Sequence, residues 1–179
     1  SYLARQTAGF MWRSTTEGMK RVESSARREL SLAQTGLIDT ITHTPNDLLA
    51  YLNLGLMYHT QARFFDQDKF QEAETILRRA IELNPRNPQP LWALAAVFLD
   101  QDKVDEALSL TQQAFDLNPQ SMEAHIQRLI VTKFTGDEDR FMQYAQEALT
   151  LAPELQAKIN LISNADVKEK RAVVIFELY

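Results

Sequence analysis

A chain of 179 residues is long enough for one compact domain or a short stack of small units, and an apolar share of 45% supplies a core, which excludes wholesale disorder. A net charge of −5 leaves no general basic face of the kind that nucleic-acid binding relies on, so no nucleic-acid partner is expected. With no cysteine there is no disulfide and no thiolate chemistry, and no run of about 18 apolar residues is present to span a bilayer.

The charge is uneven. Residues 1–30 hold six basic and three acidic side chains, net +3, against −8 in the remainder. No signal-peptide pattern is visible. The chain starts at Ser1 instead of methionine, inside what reads as helix, so it is expected to be a processed chain or a piece of a longer one.

Glycine is scarce, proline is confined to segment ends, and apolar residues recur at three and four instead of two, which predicts an all-α chain. Residues 2–35 read as a long helical stretch with a loose apolar stripe of Leu3, Phe10, Met11, Met19, Val22, Ala26, Leu30 and Ala33. Gly9, Gly18 and Gly36 each weaken it by about 1 kcal/mol where they fall inside helix. After Pro45, Asn46 or Asp47 can cap a helix from Leu48 to Ala62. A second runs from Gln71 to Leu83 and ends before Asn84-Pro85, because proline lacks the amide and restricts its predecessor.

Asn87 and Pro88 open the next helix, lined by Leu91, Trp92, Leu94, Ala95, Phe98 and Leu99. Its partner carries Val104, Ala107, Leu108, Leu110, Thr111, Ala114 and Phe115. A further pair has Ala124, Ile126, Leu129 and Ile130 up to a stop at Phe134-Thr135-Gly136, then Phe141, Tyr144, Ala145, Ala148 and Leu149 after Asp137. One more helix is expected over Leu155 to Ser163. The run 172–179 is β-branched and aromatic, and reads equally as a strand, a helix end or a truncated segment.

The segments repeat. Pro85, Pro119 and Pro153 stand 34 residues apart, and Asp66-Gln67-Asp68-Lys69 recurs as Asp100-Gln101-Asp102-Lys103 at the same interval. A strict period of this size marks a stacked repeat, since one such unit cannot bury its own apolar face. Upstream, Pro45 precedes Pro85 by 40 residues, and Ala33, Leu37 and Ile41 align with Ala73, Leu77 and Ile81 as a degenerate unit. The six extra residues fall around Ala62 to Gln67 and include Phe64-Phe65.

Little here carries chemistry. His43, His59 and His125 have no second ligand at zinc spacing. Asp66-x-Asp68 and Asp137-Glu138-Asp139 lack the glycine and terminal glutamate of a calcium loop and read as turns and helix caps. There is no glycine-rich phosphate loop and no nucleophile signature, so no cofactor, no metal and no enzymatic activity are expected.

These residues resemble tetratricopeptide repeats, whose unit favours Leu-Gly and a tyrosine in its first helix, small residues in its second and a closing proline. Tyr51, Leu54-Gly55, Tyr58, Ala73, Ala80 and Pro85 match, as do Leu94, Ala95, Phe98, Ala107, Ala114 and Pro119, then Gly136, Ala148 and Pro153. In the third unit Arg128-Leu129 stands in place of Leu-Gly, and Phe141 replaces a small residue. The resemblance covers residues 46–153 well and 14–45 weakly. It implies an all-α, right-handed superhelical stack of antiparallel helix pairs. Residues 1–45 form its N-terminal helical segment with the degenerate repeat. Units 46–87, 88–121 and 122–153 follow, and 154–179 cap it.

The same resemblance implies a concave face lined by first helices: Leu52, Leu56 and His59, then Gln89, Trp92, Ala96 and Leu99, then Ile126, Ile130 and Lys133. The basic clamp with which some relatives grip acidic chaperone tails is not expected. Only Asn53 stands at a matching position, and Trp92 and Ile126 replace the basic residues. An apolar groove suits a partner's amphipathic helix or extended peptide, or neighbouring subunits of a complex, anchored on Trp92, Leu56 and Ile130. The alternative is that the chain's own N- or C-terminal segment fills it. Phe64 and Phe65 either pack the longer connection against the degenerate unit or protrude as a contact. The basic N-terminal end is either a solvated helix face or a segment beside a membrane, on the cytoplasmic side, of a membrane-associated assembly or biosynthesis protein.

Overall fold

The computed structural model describes residues 16–164, with side chains from residue 23 onward. Expectations that fall on residues 1–15 and 165–179 lie outside the described residues, including the strand-or-helix choice at 172–179 and the charges of Arg5 and Arg13. The side chains of Lys20 and Arg21 lie outside them too.

The described residues form eight α-helices: α1 Thr16–His43, α2 Leu48–Phe64, α3 Phe70–Leu83, α4 Pro88–Asp100, α5 Val104–Leu117, α6 Met122–Thr135, α7 Glu138–Leu151 and α8 Gln156–Ser163. Short 3-10 turns at Gln67–Lys69 and Pro153–Leu155 lead into α3 and α8. No strand occurs among the described residues.

Local chemistry fixes the helix ends. Asp47, Asn87, Ser121 and Asp137 each accept a first-turn amide with a side-chain oxygen: Ala50 N at 3.0 Å, Gln89 N at 3.0 Å, Ala124 N at 3.3 Å and Arg140 N at 3.0 Å. The Asp137-Glu138-Asp139 stretch is therefore a cap and a first turn. Gly136 closes α6 at φ +72°, a left-handed conformation that suits a residue without Cβ. The insertion before α3 is absorbed by a longer α2, which runs two residues past Ala62, and by the first 3-10 turn.

α1 is one unbroken helix through Gly36 to His43. No glycine or proline interrupts the sequence from Met19 to Thr35, so nothing breaks it into a hairpin. Its C-terminal half takes the place of a second helix. Among the described residues no separate first helix stands in front of it.

The helices stack as three pairs, α2/α3, α4/α5 and α6/α7, with α1 packed on α2 and α8 on α6. Each first helix lies against its own second helix and the next first helix, so α2 meets α3 and α4, and α4 meets α5 and α6. One core joins Leu77, Leu94, Val97 and Ala107, and a second joins Leu129, Phe141, Ala148 and Ile162; Phe134 packs against both. α2 and α3 meet tightly at Gly55, where an added Cβ would stand 2.5 Å from Leu77 Cγ.

Candidate interaction surface

The residues expected on the concave face divide sharply by exposure. Leu52, His59, Leu99, Ile126 and Ile130 are buried, while Trp92 and Ala96 are half-buried and Leu56 is 40% exposed. First helices packed on one another cover much of this face, so its buried members support the surface from beneath.

His59 does not point outward. Its Nε2 lies 2.7 Å from Asp100 Oδ2, and Arg63 Nε lies 3.0 Å from the same oxygen, all three side chains being nearly closed to solvent. This clasp ties α2 to the end of α4. It stands beside a polar recess of about 730 Å³ where the two Asp-Gln-Asp-Lys turns lie side by side, lined by Gln67, Asp68, Gln101 and Asp102 among others. The repeated lysines also match: Lys69 Nζ is 6.0 Å from the Tyr58 ring centre and Lys103 Nζ 5.3 Å from that of Phe98.

Trp92 keeps its indole Nε1 out of water and without a hydrogen-bond partner. Phe64 and Phe65 part ways. Phe65 is half-buried beneath Arg27 of α1, whose guanidinium lies 4.8 Å from the ring centre and donates to the Phe65 carbonyl at 3.1 Å. Phe64 is 55% exposed, its ring tilted on Phe65 with the Arg63 guanidinium 5.5 Å away.

Leu56 opens into a shallow recess of about 440 Å³ between α1 and α2, lined by Ala33, Leu37, Asn53, Leu56, Met57 and Thr60. The wall carries no charge. Of these residues only Leu56 is nominated by groove position alone. The signal for Ala33 and Leu37 lies in the repeat, since they align with Ala73 and Leu77.

The third pair departs most from the repeat pattern, and its solution is a buried cation. Arg128 fills the position of Leu54 and Leu94, with its guanidinium 3.8 Å from the ring centres of both Phe115 and Tyr144. Its Nη2 donates to Glu147 and lies 3.3 Å from His125 Nδ1, while its Nε has no partner. His125 Nε2 meets the Pro119 carbonyl at 3.1 Å. Burial, then the Arg128 charge, push His125 below its ordinary value despite the pull of Pro119 and Glu147. Burial pushes the Glu147 carboxyl up, but hydrogen bonds from Arg128 and Gln143 outweigh it and leave the group below its ordinary value.

Among the described residues no group of three or more His, Cys, Asp or Glu is placed to hold a metal ion, and no helix is long and apolar enough to cross a membrane.

Residues 64–130 match the family model described as tetratricopeptide repeat. No curated protein matches the sequence. Among solved structures, TTC0263, a thermophilic TPR protein in Thermus thermophilus, aligns with a TM-score of 0.64 at 20% identity, over 78% of this chain and 77% of that one. A crystal structure of MamA aligns with a TM-score of 0.58 at 17% identity, over 86% of this chain and 87% of that one. MamA 41-end from Desulfovibrio magneticus RS-1 gives 0.58 at 14% identity, over 74% and 71%. At these identities the likeness is one of fold.

Proposed function

We propose that the chain, whose residues 64–130 match the tetratricopeptide-repeat model, is a non-catalytic scaffold that holds another protein, as a helix or an extended peptide, on the face made by its first helices. The observation that carries this reading is an uncharged apolar recess at the end of a capped helical stack, with Leu56 open to solvent on its wall. A preformed surface of this kind loses little ordering entropy when a partner binds. Leu56, Trp92 and Ala96 are the accessible anchors. Leu52, Leu99, Ile126 and Ile130 hold the surface in shape from below.

Affinity capture from the native host tests the reading. The wild-type chain is compared with a Trp92→Ala, Leu56→Ala double variant whose helicity is checked by circular dichroism. A partner retained by wild type and lost by the folded double variant is expected. Equal capture by both would move the site to Phe64, to α1 or to the outer helices, and would count against this face. The positive balance of residues 1–30 favours a second reading, docking beside an anionic membrane. Absence of salt-sensitive binding to phosphatidylserine vesicles removes it.

A further inference from the structure

The recess between α1 and α2 corresponds, by the repeat offset, to a place that a helix fills further along the stack. The offset of 40 residues that carries Leu37 to Leu77 also carries the start of α2, Leu48, to the start of α4, Pro88. Ala33, Leu37, Asn53 and Met57 therefore correspond to Ala73, Leu77, Ala93 and Val97. Those four line the next seat along the stack and are buried, at 0%, 0%, 8% and 0% exposure. What lies in that seat is α2, with Gly55 against Leu77 and with His59 and Arg63 on Asp100. In the end seat Ala33, Leu37 and Met57 are only half-buried and Asn53 is exposed, and among the described residues α1 runs straight on with no first helix folded across them.

We propose that this end seat receives one amphipathic α-helix from a partner protein, in the pose that α2 takes in the next seat. The inference rests on the scaffold reading above and specifies its occupant. The repeat sets the chemistry of that helix. It presents a small residue where it crosses Leu37, as Gly55 does at Leu77. Its seat-facing side is uncharged, because Thr60 stands where the next seat has Asp100, so a buried cation in the place of His59 or Arg63 finds no carboxylate.

The test uses the full chain carrying Leu37→Glu, Thr60→Asp or neither, and two synthetic peptides copying residues 46–65. One peptide is native. The other carries His59→Gln and Arg63→Gln. Binding is read by fluorescence anisotropy of the labelled peptide. The wild-type chain is expected to bind the substituted peptide at least about tenfold more tightly than the native one. Leu37→Glu abolishes that binding, and Thr60→Asp reverses the preference by remaking the internal seat. Failure of both peptides to bind overturns the inference. So does equal binding of a substituted peptide that also carries Gly55→Leu. Protection of Leu56→Cys from a maleimide in the free chain overturns it as well. Protection that is independent of concentration would place the chain's own residues 1–15 or 165–179 in the seat, and protection that grows with concentration a second copy. If the peptides fail while capture through Trp92 persists, this inference falls and the scaffold reading stands.

Discussion

Two glycines in neighbouring helices call for opposite treatment. Gly55 lies tight against α3, and a methyl group there would meet Leu77, itself fully buried, at 2.5 and 2.6 Å. The helix-propensity gain of about 1 kcal/mol does not offset an overpacking cost of roughly 1–3 kcal/mol, so Gly55→Ala is expected to lower the Tm. At Gly36, inside α1, an added Cβ meets nothing within 4 Å. Gly36→Ala should therefore stabilise by up to about 1 kcal/mol. Thermal melts of the two variants beside wild type check both signs. His125 yields a pH prediction from the same closeness of packing. Its folded-state pKa lies below the ordinary 6.5, so the unfolded chain takes up a proton that the folded chain refuses. Stability is full above pH 6.5 and declines as pH falls below it. Glu147, also depressed, adds a second loss as pH falls below its ordinary 4.5. His125→Gln should flatten the Tm between pH 7.5 and 5.5 and leave the loss at lower pH in place.

At the scale of elements, the third pair shows what a sequence discloses and what it withholds. Arg128-Leu129 and Phe141 depart from the repeat pattern visibly, at the positions where the other pairs carry Leu-Gly or Leu-Ala and a small residue. The departure does not reveal its remedy, because that depends on residues from two other helices. Phe115 of α5 and Tyr144 of α7 sandwich the guanidinium, and Glu147 of α7 takes its charge. With Leu129 and Phe141 both buried in place of small residues, α6 and α7 approach less closely than the helices of the other two pairs. The cluster is a packing device, and it makes a prediction. Its Nε is buried without a partner, and leucine is the residue at this position in the first two pairs. Glu147 is 41% exposed, so a leucine at 128 leaves its carboxylate to water and fills the space between the rings with a well-sized apolar side chain. Arg128→Leu is therefore expected within about 1 kcal/mol of wild type, and Arg128→Ala, which leaves a cavity between two rings, about 3 kcal/mol below it. Urea unfolding of both variants separates volume from charge. If leucine costs as much as alanine, the cation itself holds the pair together.

At the scale of the molecule, the period of 34 residues made the stack legible, since matched prolines, caps and small residues each recur at the same offset. The groove was less legible. Helical phase says which residues share a face, but not how far neighbouring first helices close over it, and so it could not distinguish buried His59 and Ile130 from open Leu56. A stack of this kind is stabilised by nearest-neighbour contacts, so its stability is not uniform along its length. α4 lies between two neighbours on each side of the chain and buries eight of its thirteen residues. Among the described helices α1 packs mainly on α2, and from residue 23 onward only Gln34 is buried. Amide hydrogen exchange should therefore be slowest in α4 and markedly faster in α1, although α1 is the longest of the described helices. Length alone would predict the reverse, because a longer helix has proportionally fewer frayed ends. A helix bound in the end seat would supply the missing neighbour. The same experiment repeated with the His59→Gln, Arg63→Gln peptide should slow exchange in α1 between Ala33 and His43 and leave α4 unchanged. Uniform protection along the chain before any peptide is added would mean that the stack unfolds as one cooperative unit, with its end already closed.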